Sequence, residues 1–190
     1  MKLKHLFYTK EFINDFKNGS DKAYVISFVG TLHSNRYAVI KNLFRKFENT
    51  FSFYYSPARW LFLLYKLSKK SYWDIKWADV SFDKLTRQQV ADIFKSSKGV
   101  LDIQRFGQTG LTMRTFEVLA AGAILITTNP YIKLADFYCP DRIIVLENMD
   151  SSINEIEMKS KIDALSLDNK SVIKNLEKYF VNNWVREFFE

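Results

Sequence analysis

Residue types that cross-link or ligate are scarce in this chain of 190 residues: it has one cysteine, Cys139, and two histidines, His5 and His33. A lone cysteine excludes an internal disulfide and any multi-cysteine zinc site, and two histidines leave little material for a His-based metal centre. No metal and no cofactor are expected, and a reducing, cytoplasmic setting follows. Long apolar runs are also missing: none approaches the ~20 residues a membrane span requires. The opening MKLKHLFYTKEF lacks the apolar centre of a signal peptide, so a soluble or peripheral protein is expected. Glycine is low at 6, and neither the GxGxxG fingerprint nor the Walker A pattern occurs. No Ser, His and Asp spacing argues for a hydrolase triad, no carboxylate cluster suggests a metal site, and there is no internal repeat.

What the chain holds is core. Apolar residues make up 47% and charged residues 26%, near globular averages, while the aromatic share of 16%, with 17 Phe and 10 Tyr, is high. Its length suits one domain with a sizeable interior. A net charge of +7 fits nucleic acid, anionic lipid or phosphorylated small molecules as partners. The cations are scattered, as in Lys41, Arg45 and Lys46 or Lys66, Lys69 and Lys70, without an arginine-rich arm. They read as solvated helix faces, and no nucleic acid partner is expected.

The apolar run AYVISFVG at 23–30 ends in glycine, and SNRYAVIKNLFRKFE at 34–48 carries Val39, Ile40, Leu43, Phe44 and Phe47 at helical spacing behind Ser34, a candidate N-cap. FSFYYS at 51–56 reads as a second strand, and PARWLFLLYKLSKK at 57–70 as a helix opened by Pro57 in its first turn. Residues 72–82 are aromatic and irregular, Thr86 caps a helix over 87–96, and GVLDIQ at 99–104 is a short buried strand. Next come a loop at 105–110, a helix over 111–121 stopped by Gly122, and the strand AILITT at 123–128. A short helix at 132–137, the strand RIIVLE at 142–147 and helices at 151–165 and 169–188 close the chain. Alternating strands and helices predict an α/β fold, a Rossmann-like open parallel sheet of about five or six strands flanked by helices.

The helix at 57–70 has two readings. WLFLLYKL, ringed by Arg59, Lys66, Lys69 and Lys70, fits an amphipathic helix on an anionic membrane surface, giving peripheral membrane contact. Its apolar residues also nearly encircle the helix, which favours a buried core helix.

In open parallel sheets, ligands sit beyond the carboxyl ends of the strands. Two loops stand there. The first, Gly30 to Arg36, includes Thr31 and His33; the second, Arg105 to Arg114, includes Gly107, Gln108, Thr109, Gly110, Leu111 and Thr112. Free N–H groups at a helix start, with Arg36 or Arg114 nearby, make an anion site, although plain βα turns look the same. His33 is a candidate proton-transfer group or simply polar surface. Glu117 stands out, lying between Phe116 and Val118 in a helix that ends in small apolar residues. A buried carboxylate without a partner is costly, so it calls for a Lys or Arg, a pair of ligand hydroxyls or water, unless that face of the helix is exposed.

The run GLTMRTFEVLAAGAILITTN resembles the nucleotide-binding signature of GT-B glycosyltransferases, in which a loop and helix carry a Glu, then Ala-x-Gly, then a strand ending in a polar turn. SFDKLTRQQVADIFKSSKGVLDIQ, the FVGT…R opening and the closing FVNNWVREFF are similar to other parts of that family's C-terminal domain, so the resemblance covers about residues 23–188. It is strongest to bacterial enzymes that build capsular and lipopolysaccharide sugars. The resemblance implies a UDP- or GDP-sugar donor whose ribose hydroxyls bind Glu117, with the backbone of Gly110, Leu111 and Thr112 facing the diphosphate and Arg114 also among the nucleotide-binding residues. Thr31 and Arg36 would approach it from the first loop, and the segment around Phe82 to Leu85 would contact the base. The acceptor would be a glycan or a lipid-linked acceptor. The family's E-x7-E motif has a second Glu where this chain has Thr109, leaving Gln104, Arg105 and Gln108 to contact the donor sugar. GT-B enzymes also close a second domain, with the acceptor site and usual general base, over this one. Residues 1–22 read as a linker or the remnant of that domain. The chain is then a fragment of a hexosyltransferase-like enzyme, a split subunit or a degenerate relative; the alternative function is a non-catalytic nucleotide- or protein-binding module.

Overall fold

A computed structural model describes residues 6–14, 22–33, 36–104, 110–146, 155–164 and 176–186. Within them lie six strands: β1 (Tyr24–Thr31), β2 (Thr50–Tyr55), β3 (Val80–Ser81), β4 (Ser97–Asp102), β5 (Ile124–Thr127) and β6 (Ile143–Val145). They form one parallel sheet in the order β3-β2-β1-β4-β5-β6. The order reverses between β1 and β4, which pair with Ser27 opposite Val100. A doubly wound sheet opens a ligand crevice at such a reversal, between the two loops singled out in the sequence.

The central strands are apolar on both faces because helices cover both. Val100 and Leu125 point into one core with α3 (Arg87–Lys95) and α4 (Met113–Ala120). Leu101, Ile124 and Ile126 point into the other with α1 (Arg36–Phe44), α2 (Arg59–Ser68) and α5 (Glu155–Asp163). Thr86 starts α3 with a reciprocal cap: its hydroxyl accepts from the Gln89 amide at 3.2 Å, and the Gln89 side chain accepts from the Thr86 amide at 2.8 Å. Gly122 ends α4 at φ 71, where glycine alone is unstrained.

Residues 6–14 are part of this packing. Tyr8 and Phe12 are buried in the α3–α4 core. The Tyr8 amide donates to the Tyr179 carbonyl, and the Val181 amide to the Tyr8 carbonyl, both at 3.0 Å. Asn14 donates from its backbone to Ala120 O at 3.3 Å and from its side chain to Ala121 O at 3.2 Å, satisfying carbonyls at the end of α4.

Several expectations need correction. Residues 57–70 do not form a core helix: Phe62 is the sole buried residue of α2, while Trp60, Leu63, Leu64 and Leu67 are exposed. Pro57 lies ahead of its first turn, with Ala58 at the cap position. The aromatic stretch at 72–82 contains an edge strand, β3, after single 3-10 turns at Lys70–Tyr72 and Trp77–Asp79. Residues 132–137 give way to a 3-10 helix at Pro130–Leu134. The described part of 169–188 is a 3-10 turn at Glu177–Tyr179 followed by α6 (Val181–Arg186). Phe180 between them is extended, at φ -65 and ψ 133, because it pairs with Tyr8 in a parallel bridge. Ser34 lies outside the described residues.

Candidate functional site

β4 ends in Asp102, and that carboxylate ties the start of α4 to the sheet. It is buried, accepts from the Thr112 hydroxyl at 2.9 Å and meets the Arg114 guanidinium at 3.4 Å. The Thr112 side chain therefore makes no cap on α4, although Thr112 occupies its N-cap position. The first turn of α4 carries no acidic residue, so its leading N–H groups and the helix dipole present a positive end.

The approach to α4 is held from both sides. The Gly110 carbonyl accepts from the Asn129 side chain at 3.3 Å and from the Gln104 side chain at 3.4 Å. Gln104 is tied by its amide to the Thr128 hydroxyl at 2.9 Å, and Asn129 by its amide to Thr127 at 3.1 Å. A Cβ on Gly110 would meet nothing within 4 Å, so open space lies beside that backbone. Gly30, at the end of β1, is different: a Cβ there would fall 2.7 Å from the Phe28 ring.

Glu117 follows Arg114 by one turn of α4 and is half-buried. Its carboxylate has no hydrogen-bond or ion-pair partner among the described residues. Burial raises its pKa above the ordinary carboxylate value and Asp102 adds to this, while Arg114 and Arg87 pull it down. The group is partly desolvated and takes no hydrogen bond from the described residues, which leaves its acceptor sites to water or a ligand.

The structure thus brings together Gln104, Gly110, Leu111, Thr112, Arg114 and Glu117. Extending the β1–β4 register from Ser27 opposite Val100 sets Thr31 level with Gln104. Arg36 is the first residue of α1, its amide donating to His33 O at 3.2 Å. Leu85 packs on the α3–α4 core, as Leu111 does. Phe82 lies apart on the other face, with ring centroids 6.1 Å from Phe62 and 5.8 Å from Trp77 and the Arg59 guanidinium 5.6 Å above it. Arg105, Gln108 and Thr109 lie outside the described residues.

Asp102 and Asn129 were missed in the sequence. The available signals were an acid interrupting the apolar run GVLDIQ and an Asn before Pro in TTNP. Among the described residues, no group of three or more His, Cys, Asp and Glu side chains could hold a metal ion. A pocket of about 300 Å³ lies on the opposite face of the sheet, lined by Tyr37, Lys41, Arg45, Ser52, Tyr54 and Asp79 among others. Its polar groups bond to one another: the Tyr37 hydroxyl donates to Asp79 and lies 3.0 Å from the Lys41 amine.

A family of proteins described as Glycosyl transferase-like matches residues 41–175. No curated protein sequence matches significantly. Among solved structures, the chain is similar to AviGT4, a glycosyltransferase involved in avilamycin A biosynthesis, at 13% identity and TM-score 0.56, covering 89% of this chain and 50% of that one. It is also similar to the pneumococcal O-GlcNAc transferase GtfA, in complex with UDP and GlcNAc, at 11% identity and TM-score 0.51, covering 88% of this chain and 35% of that one. The chain thus spans half or less of the length of these solved chains.

Proposed function

The chain belongs to the glycosyl transferase-like family, and on that premise we propose that it is the donor-binding half of a glycosyltransferase that takes a UDP- or GDP-sugar. Glu117 is the observation that carries this reading: a half-buried carboxylate with a raised pKa and no hydrogen-bond partner among the described residues, one turn inside α4. Two ribose hydroxyls would supply the missing donors. The Gly110–Thr112 backbone and Arg114 would face the diphosphate, Thr31 and Arg36 would approach it across β1, and Gln104 would reach the sugar together with Arg105 and Gln108. The complex of the structurally similar O-GlcNAc transferase with UDP and GlcNAc supports a nucleotide-sugar of this kind.

The reading meets the diphosphate with backbone N–H groups and arginine instead of a metal ion, so EDTA should leave nucleotide affinity unchanged. The acceptor is proposed to be a glycan or a lipid-linked acceptor in cell-surface polysaccharide synthesis on the cytoplasmic side. Since the chain spans half or less of the solved relatives, transfer itself would need a second domain. A non-catalytic nucleotide- or protein-binding module is the alternative on the same ground. A thermal-shift screen with UDP, GDP, CMP and their sugars tests the reading, because a ligand of the folded state raises Tm. A rise with UDP or GDP supports it; no rise with any of them overturns both nucleotide readings.

A further inference from the structure

The outer face of α2 is apolar and uncovered. Trp60, Leu63, Leu64 and Leu67 recur at helical spacing on one face, and are 69%, 48%, 50% and 76% exposed. Trp73, 60% exposed, adds a second indole just beyond the helix. The two pieces are braced: the Lys66 amine donates to the carbonyls of Trp73 at 3.0 Å and Ile75 at 2.7 Å, and Lys69 lies 3.9 Å over the Tyr65 ring. Phe62, with Tyr65 packed partly against the same core, anchors the helix from its inner side. An exposed apolar stripe of this kind marks an interaction surface.

Charge says what covers it. Residues 59–76 hold five basic side chains, Arg59, Lys66, Lys69, Lys70 and Lys76, against one acid, Asp74. A second copy meeting this face about a two-fold axis would set one lysine cluster against the other, a repulsive arrangement. An anionic bilayer complements both features, taking the indoles and leucines into its interfacial layer while the exposed Lys69, Lys70 and Lys76 meet the headgroups. We propose that the outer face of α2, with Trp73, docks the protein on an anionic lipid bilayer. α2 packs on the opposite side of the sheet from α4, so a docked domain keeps the Glu117 crevice open. The inference does not rest on the nucleotide reading.

The test is co-sedimentation of the 190-residue chain with vesicles of phosphatidylcholine alone or mixed with phosphatidylglycerol, together with tryptophan emission. With several basic residues each adding to attraction, binding to the anionic vesicles should be ~100-fold tighter and should weaken at high salt. Emission should shift to the blue as exposed indoles enter the interface. Trp60→Ser with Leu64→Ser should weaken binding ~10-fold or more through lost apolar contact. Lys70→Glu with Lys76→Glu should weaken it at least as much, and both pairs should keep the wild-type circular dichroism spectrum. The proposal is overturned if anionic vesicles do not bind the protein or if neither pair of substitutions weakens binding. It also fails if sedimentation velocity finds a dimer that the Trp60 and Leu64 changes dissolve, since the stripe would then be covered by a second copy.

Discussion

Replacing Glu117 by Gln separates a ligand-binding carboxylate from a structural one. Gln keeps the shape and one carbonyl acceptor but removes the charge. A hydrogen bond to a charged group is worth ~1.5–3 kcal/mol, so UDP affinity should fall by ~10- to 100-fold. Stability should move little or rise, because the side chain gives up no partner among the described residues and the burial cost of its ionised form disappears. The pH dependence follows from the upward shift. A carboxyl whose pKa is higher in the folded state holds its proton where the unfolded chain has released it. It therefore lowers stability as pH rises from the ordinary value of ~4.3 through the folded value, and adds no further slope above that. Glu117→Gln should lack this slope. Wild-type UDP affinity should increase across the same window as the accepting carboxylate forms. Calorimetric titration and thermal melts from acid to neutral pH measure both quantities. A fall in Tm of several degrees with UDP affinity intact would refute the reasoning and make Glu117 a structural partner of Arg114 or Arg87.

Asp102→Asn weakens the acceptor that holds Thr112 and Arg114, and should lower Tm by about 5 °C as well as UDP affinity; melts and titration check both. Gly110→Ala places a methyl in open space, so Tm should stay within ~1 °C while UDP affinity drops, the usual sign of a site glycine away from structural constraint. Gly122→Ala imposes a left-handed residue at φ 71 at a cost of ~1–2 kcal/mol; Tm should fall with nucleotide affinity unchanged. Phe12→Ala empties a fully buried position against the Phe94 ring and should cost ~3–5 kcal/mol in denaturant unfolding, although Phe12 belongs to the segment read as a linker.

The fold was legible where both strand faces are buried or where local capping decides. AYVISFVG and AILITT are continuous apolar runs because helices cover both sides of β1 and β5, and Thr86 and Gly122 set their helix ends through contacts a few residues long. What escaped depends on distant chain. β3 is two residues long and exists because Tyr54 and Tyr55 offer an edge to Val80 and Ser81. Phe180 breaks an apparent helix to pair with Tyr8, 172 positions earlier in a chain of 190. α2 has a nearly all-round apolar surface, and periodicity alone does not tell a buried helix from one whose outer face is left uncovered.

The site divides in the same way. Glu117 could be picked out because its charge interrupts an apolar helix, yet Asp102 interrupts a strand just as plainly and is in the opposite state. Asp102 takes the Thr112 hydroxyl and the Arg114 guanidinium, whereas Glu117 is left with Arg114 and Arg87 acting at a distance. One arginine thus serves two carboxylates, and the nearer contact goes to Asp102. Asp102, Glu117 and Arg114 together carry −1, and Arg87, acting on Glu117 from a distance, brings the sum to 0, so these side chains offer a diphosphate no net attraction. For the proposed donor, attraction would then come from the N-terminal end of α4 and from further cations, of which the sequence holds Arg36 and Arg105 in the two segments that follow β1 and β4. Arg114 is then better understood as the residue that fixes the helix end through Asp102 than as the main phosphate clamp. On that argument Arg36→Ala should weaken UDP more than adenosine or uridine without phosphate, and equal losses for UDP and uridine would contradict it.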